Sequence, residues 1–149
     1  MAGGSPQSFK AALTDNDSTA QELLGTIRYD ENGVYKYVKF SGTGAVAIGD
    51  FVCYVVSDVT NQTVDAANSV LGAGVSMGTV AASAVSYGWI KIAGLATLNV
   101  ALDAGNDGDA LTNKDATAKT LRAIDATAEA QVAIAVDASA KIVALACPH

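Results

Sequence analysis

Asp30-Glu-Asn-Gly-Val-Tyr-Lys-Tyr-Val-Lys-Phe40 decides how this chain is read. Asn32-Gly33 directly before an apolar run is a hairpin signal, because glycine accepts a positive φ at little cost. Leu24–Tyr29 is the strand that enters the turn, and Val34–Phe40 is the strand that returns. In the returning strand, Val34, Lys36, Val38 and Phe40 fall on one face, and Tyr35, Tyr37 and Lys39 on the other. A period of two in a run of β-branched and aromatic residues argues for a strand and against a helix.

The same punctuation continues along the chain. Ser41–Gly44 turns, Gly49-Asp50 turns again, and Phe51–Val56 is the next strand. Ser57–Ser69 reads as a polar loop or one short helix. Val70–Ala82, with Gly72, Gly74 and Gly78, reads as a kinked strand closing a barrel corner. Trp89–Ile92 and Leu95–Leu102 read as two strands around Gly94, the second alternating Leu98, Val100 and Leu102 with Thr97, Asn99 and Ala101. Thr112–Thr120 is a polar loop. Leu121–Ile124, Gln131–Val136 and Lys141–Ala146 complete the strands, and Asp137–Ala140 is a tight turn between the last two. Ala123–Ala135 has helical propensity from its alanines, but its Val and Ile content and the adjacent turns favour strand. Roughly eight to ten short strands with frequent turns predict an all-β fold, a small barrel or sandwich of short antiparallel strands. Val46–Tyr54 and Ala104–Thr112 both set Gly-Asp just before a strand, a short echo that suggests one turn device used twice.

Residues 1–22 differ in composition from the rest. They are rich in Gly, Ser, Thr, Asp and Asn and predict an extended, flexible N-terminal arm that orders on a partner, with the barrel over 23–149. The chain of 149 residues is half hydrophobic but only 6% aromatic, and alanine supplies much of the apolar half. Such a core is thin, and a thin core gains from oligomerisation or from docking on a larger body.

A net charge of −6 without a basic stripe argues against nucleic acid as a partner. No apolar run approaches the ~18 residues of a membrane span, and the first residues lack the basic and apolar regions of a secretory signal. Cys53 and Cys147 have no spacing that suggests a metal site or a disulfide framework, so buried free thiols in a reducing compartment are expected. The single histidine, His149, is the last residue, which leaves no nucleophile–histidine pair and no zinc set. Gly105–Asp109 gathers Asp and Asn oxygens but lacks the spaced acids of a calcium loop, so a side-chain-bonded turn is expected there. Gly42–Gly49 and Leu71–Gly78 miss the spacing of phosphate-binding loops. Tyr87 and Trp89, two apart, share a strand face and suggest a core or interface patch.

Taken in order, GVYKYVKFSG, the Gly-Asp strand entry, YGWIKIAGLATLNVA, AGNDGDALT and AQVAIAVDAS resemble the head-decoration (cement) proteins of tailed bacteriophages over about 23–146. The turn is longer than that family's usual one, and Ala133 stands where it usually has glycine. The resemblance implies a non-enzymatic, cofactor-free and metal-free homotrimeric β-barrel. It implies assembly in the host cytoplasm and a place on the outer surface of the virion, where the barrel binds the major capsid protein of an expanded icosahedral head. It further suggests that Pro6, Phe9 and Leu13 anchor the arm to the capsid, and that Tyr87 and Trp89 belong to the trimer or surface interface. Other readings are a tail, fibre or head–tail component, or a carbohydrate-binding surface module using an exposed Tyr87 and Trp89. An enzyme would require converging carboxylates such as Asp107 and Asp109.

Overall fold

The computed structural model describes residues 8–69, 71–125 and 129–147. Among them it is all-β with no helix. The strands are β1 (Asn16–Asp17), β2 (Ile27–Asp30), β3 (Gly33–Phe40), β4 (Phe51–Tyr54), β5 (Thr63–Asp65) and β6 (Gly72–Ser76). Then follow β7 (Ser86–Thr97), β8 (Ala110–Thr112), β9 (Arg122–Ala123), β10 (Ala133–Asp137) and β11 (Ile142–Ala146).

Five strands close a small barrel: β3 pairs with β5, β5 with β4, β4 with β6, β6 with β7, and β7 returns to β3. All these pairings are antiparallel except β3–β5. The closing pair joins the two longest strands, from Val34↔Ala93 to Phe40↔Ser86. Beyond the barrel the C-terminal half of β7 carries β11, then β10, β8 and β9.

The hairpin read from Asn32-Gly33 is present as β2–β3, with Asp30 opposite Gly33 and the Asp30 carboxylate accepting from the Asn32 and Gly33 amides. The alternation in β3 also holds. Val38 and Phe40 enter the main core with Phe51, Val52, Ile90, Ile92 and Val143, while Tyr35 and Tyr37 enter a second cluster with Ala11 and Trp89. Lys36 points inward with the first set and is buried; its Nζ donates to the Tyr54 hydroxyl at 2.9 Å and to the Asn61 carbonyl at 2.7 Å.

Three sequence expectations need correction. Gly94 does not separate two strands: β7 runs through it, and the hairpin tip packs on it so closely that a Cβ there would lie 2.6 Å from the Asn32 carbonyl oxygen. Leu98–Leu102 is not a strand. Its Leu98 amide donates to Lys141 and its Asn99 amide to Gly49, which turns the chain across the barrel end and buries Leu98. Ser57–Ser69 holds β5, and Thr112 ends β8 rather than beginning a loop.

The expected arm is extended, but from Ser8 onward it lies packed on the barrel. Ala11 is buried, Phe9 and Leu13 pack on Tyr35, Tyr37 and Trp89, and β1 pairs antiparallel with β7 through Asn16↔Gly88 and Asp17↔Tyr87. Apolar contact with the outer face of β3 and β7 supplies the burial that its composition alone does not predict.

Candidate functional site

Of the residues singled out from sequence, Pro6 lies outside the described residues, and the other four come together. Phe9, Leu13, Tyr87 and Trp89 share the second hydrophobic cluster. The Phe9 ring meets Trp89 edge-on, with centroids 5.3 Å apart at 88°, and Tyr37 meets Trp89 at 5.1 Å and 63°. The Arg28 guanidinium lies 4.9 Å from the Phe9 centroid and 5.8 Å from that of Trp89. Edge-to-face rings and a cation over a ring follow the aromatic quadrupole. Trp89 Nε1 donates to the Ala11 carbonyl at 3.3 Å, and the Gln21 amide donates to the Tyr37 hydroxyl at 3.1 Å. The tyrosines titrate above their ordinary range, Tyr37 because it is buried, and Tyr35 because it is buried and faces Asp30.

Asn16 is the register pin of this segment. Its side chain enters a notch between Gly78 and Gly88. A Cβ on Gly78 would lie 1.9 Å from Asn16 Nδ2, and one on Gly88 2.2 Å from Asn16 Oδ1. Trp89 is therefore 1% exposed within its own chain. It is an interior residue, not part of an outer interface or an open sugar platform. Tyr87 is half-buried beside it. Spacing located the Tyr87–Trp89 face. It gave no sign of Arg28 or Asn16, whose roles depend on contacts across the fold.

The interior polar groups are internally bonded. Burial pushes Lys36 down, with Asp58 opposing, and pushes Tyr54 up to about 12. The two cysteines are free and buried, and burial holds both thiols up, Cys147 to about 12. Low thiolate content and little access are the opposite of a reactive cysteine. Asn113 Nδ2 donates to the Ser69 carbonyl and to Cys53 Sγ at 3.6 Å. Among the described residues, Asn16 Oδ1 is the one buried side-chain polar atom without a hydrogen-bond partner.

The acids of the Gly105–Asp109 turn are committed to the backbone. Asp109 Oδ2 accepts from the Asn106 amide at 2.8 Å, and Asp107 Oδ1 from the Ala138 amide at 2.8 Å. Among the described residues no group of three or more His, Cys, Asp or Glu is placed to hold a metal ion, and no helix is long and apolar enough to cross a membrane.

The outer surface carries a second apolar feature. Leu95 is 59% exposed, Ile134 44% and Val136 47%. Ile134 pairs with Ala144, and Ala144 with Leu95, so the three side chains stand in one row across β10, β11 and β7. Sequence alternation missed this patch because both faces of these strands are apolar, and a period of two then marks neither as outward. Comparison with protein-family models, curated proteins and solved structures returned no match to this chain.

Proposed function

We propose that this chain is a structural cement protein. In this reading it binds the major capsid protein on the outer surface of an expanded icosahedral phage head, as a homotrimer, and holds neighbouring capsid subunits against the outward pressure of packaged DNA. The observation that carries the reading is where the resembling segments fall. GVYKYVKF and YGWIKIAGLAT are β3 and β7, the pair that closes the barrel. The Gly-Asp turns enter β4 and β8, and AIAVD is β10. The quoted pattern thus corresponds to one connected framework of staves and turns.

The physical logic is linkage. A protein that binds only the expanded lattice stabilises that lattice by mass action, and many copies add avidity to weak single contacts. No cofactor, metal, nucleic acid or membrane enters this role, and no catalytic residue is assigned. Phe9 and Leu13 reach a capsid only if their segment leaves Trp89, so in this reading capsid contact begins with residues 1–7 and Pro6. A tail or head–tail component is the second reading, since small β-domains serve there too; it differs in copy number. A carbohydrate module built on Tyr87 and Trp89 is disfavoured by the burial of Trp89 beneath Phe9.

The test is the copy number of this chain relative to the major capsid protein in purified virions, by quantitative mass spectrometry. Near one copy per capsid subunit is expected. A handful per particle would move the chain to the tail or a vertex, and absence from the particle would overturn the virion reading altogether.

A further inference from the structure

We propose that copies of this chain associate through the outward face of β7, β10 and β11. The proposal deepens the self-association part of the function above and rests on that part alone; it does not require a capsid.

An antiparallel sheet with one face in the core usually turns polar residues to water on the other. Here the outward positions are apolar. Leu95, Ala144 and Ile134 form the central row, and Ala110 extends it onto β8. Three strand spacings make that row about 14 Å wide. Val136 and Ile142 flank it at one end and Ala146 at the other. None of these positions carries a charge, although 16% of the chain is charged. A contiguous exposed apolar patch on a small domain marks an interaction surface.

The surroundings favour a second copy of the chain as the occupant. The molecule carries a net charge of −6, so two copies repel at long range and can approach closely only where charge is missing. This face is such a place. A basic partner would instead be recognised through acidic side chains, which lie outside the patch. The rim carries both signs. Asp137 and Lys141 flank the turn joining β10 to β11, and Asp30, Glu31 and Lys91 line the cleft that borders Leu95. Mixed signs let one copy set Lys141 against an acid of the next, an arrangement a self-complementary contact can use. Small alanines between the larger side chains also permit the close approach that face-to-face sheets need.

The experiment is the solution mass of the purified full-length chain by light scattering over a wide concentration range, compared with the Leu95→Lys/Ile134→Lys variant. The expected result is a wild-type mass that is a multiple of 15.0 kDa and a variant mass of 15.0 kDa at the same concentrations. Emission from Trp89 should be unchanged, since both substituted residues are exposed and lie outside its cluster. A wild type that stays at 15.0 kDa, or a folded variant that keeps the wild-type mass, would overturn the proposal. Should the lysines disturb folding, Ile134→Cys treated with a short bis-maleimide gives an independent answer. Covalently linked copies support the contact, and unlinked chains at concentrations where the mass is a multiple overturn it. A virion lacking this chain would defeat the capsid reading and leave this result standing.

Discussion

Asp50 and Asp109 occupy the same local device in different surroundings. Each closes a four-residue turn whose third residue is glycine, Gly49 at φ 90° and Gly108 at φ 89°. In each, the aspartate amide donates to the carbonyl three residues back at 3.1 Å, and its Oδ2 accepts from that residue's amide, at 2.9 Å for Asp50 and 2.8 Å for Asp109. This is the hydrogen-bonded turn whose third position favours glycine, and it accounts for the echo between Val46–Tyr54 and Ala104–Thr112. Asp50 does more. It is 1% exposed, accepts from Asn99 Nδ2 at 2.8 Å and faces Lys119 at 3.8 Å. Removing its carboxylate leaves buried donors without partners, which costs more than the bond itself. Asp109→Ala should cost about 1 kcal/mol and Asp50→Ala about 3 kcal/mol in urea unfolding. Equal costs would contradict this assignment.

Tyr54 gives a pH prediction at the same scale. Its pKa of about 12 in the folded chain, set first by burial and then by Cys147, lies above its ordinary value of 10.0. Between those values the unfolded chain loses the phenolic proton while the folded chain keeps it. The stability due to that retained proton is present in full below pH 10 and is lost as pH rises towards 12. Tyr54→Phe also removes an acceptor from Lys36, so it should cost about 1 kcal/mol at pH 7. Its disadvantage against wild type should shrink between pH 10 and 12. A constant difference across that window would show that the phenol does not titrate as proposed.

At the scale of elements, the segment around β1 is held by side chains more than by sheet. Two residue pairs join it to β7, whereas Phe9, Ala11, Leu13 and Asn16 each occupy a place on the barrel. The lone tryptophan sits under it, which makes its docking easy to read. Phe9→Ala removes the edge contact with Trp89 and the ring beneath Arg28, and should cost about 2 kcal/mol with a red shift of Trp89 emission. Unchanged emission would mean that the segment does not cover Trp89 in solution. Docking of this segment was not legible in sequence because its long-range contacts, such as Trp89 to Ala11, join residues far apart in the chain. The β2–β3 hairpin was legible because Asn32-Gly33 and the alternation of β3 are local signals that agree. Two- and three-residue strands such as β1 and β5 are too short to display a period. Leu98–Leu102 displays one without forming a strand, since its backbone donors go to Lys141 and Gly49. Tyr87 and Trp89 were placed on one face correctly from their spacing. Which side of the sheet that face would meet depended on where residues 8–22 came to rest.

For the whole molecule, the thin alanine-rich core and the uncharged face of β7, β10 and β11 make linked demands. Small side chains bury little area per residue, so a barrel of this size has a modest stability reserve. If the outer face is covered by another copy, folding and association share that reserve, and the apparent stability depends on protein concentration. The melting temperature should rise by a few degrees for each hundredfold increase in concentration, as expected when unfolding releases subunits. The Leu95→Lys/Ile134→Lys variant should melt at one temperature throughout, near the low-concentration limit of the wild type. High salt should leave the wild-type dependence in place or steepen it, because an apolar contact between like-charged bodies gains when their repulsion is screened. A contact made mainly by the rim ion pairs would weaken instead. Calorimetry at low and high salt over two decades of concentration therefore separates the apolar face from its rim: a concentration dependence that disappears in salt would assign association to the rim, whereas one that persists in the wild type and is absent from the variant assigns it to Leu95 and Ile134.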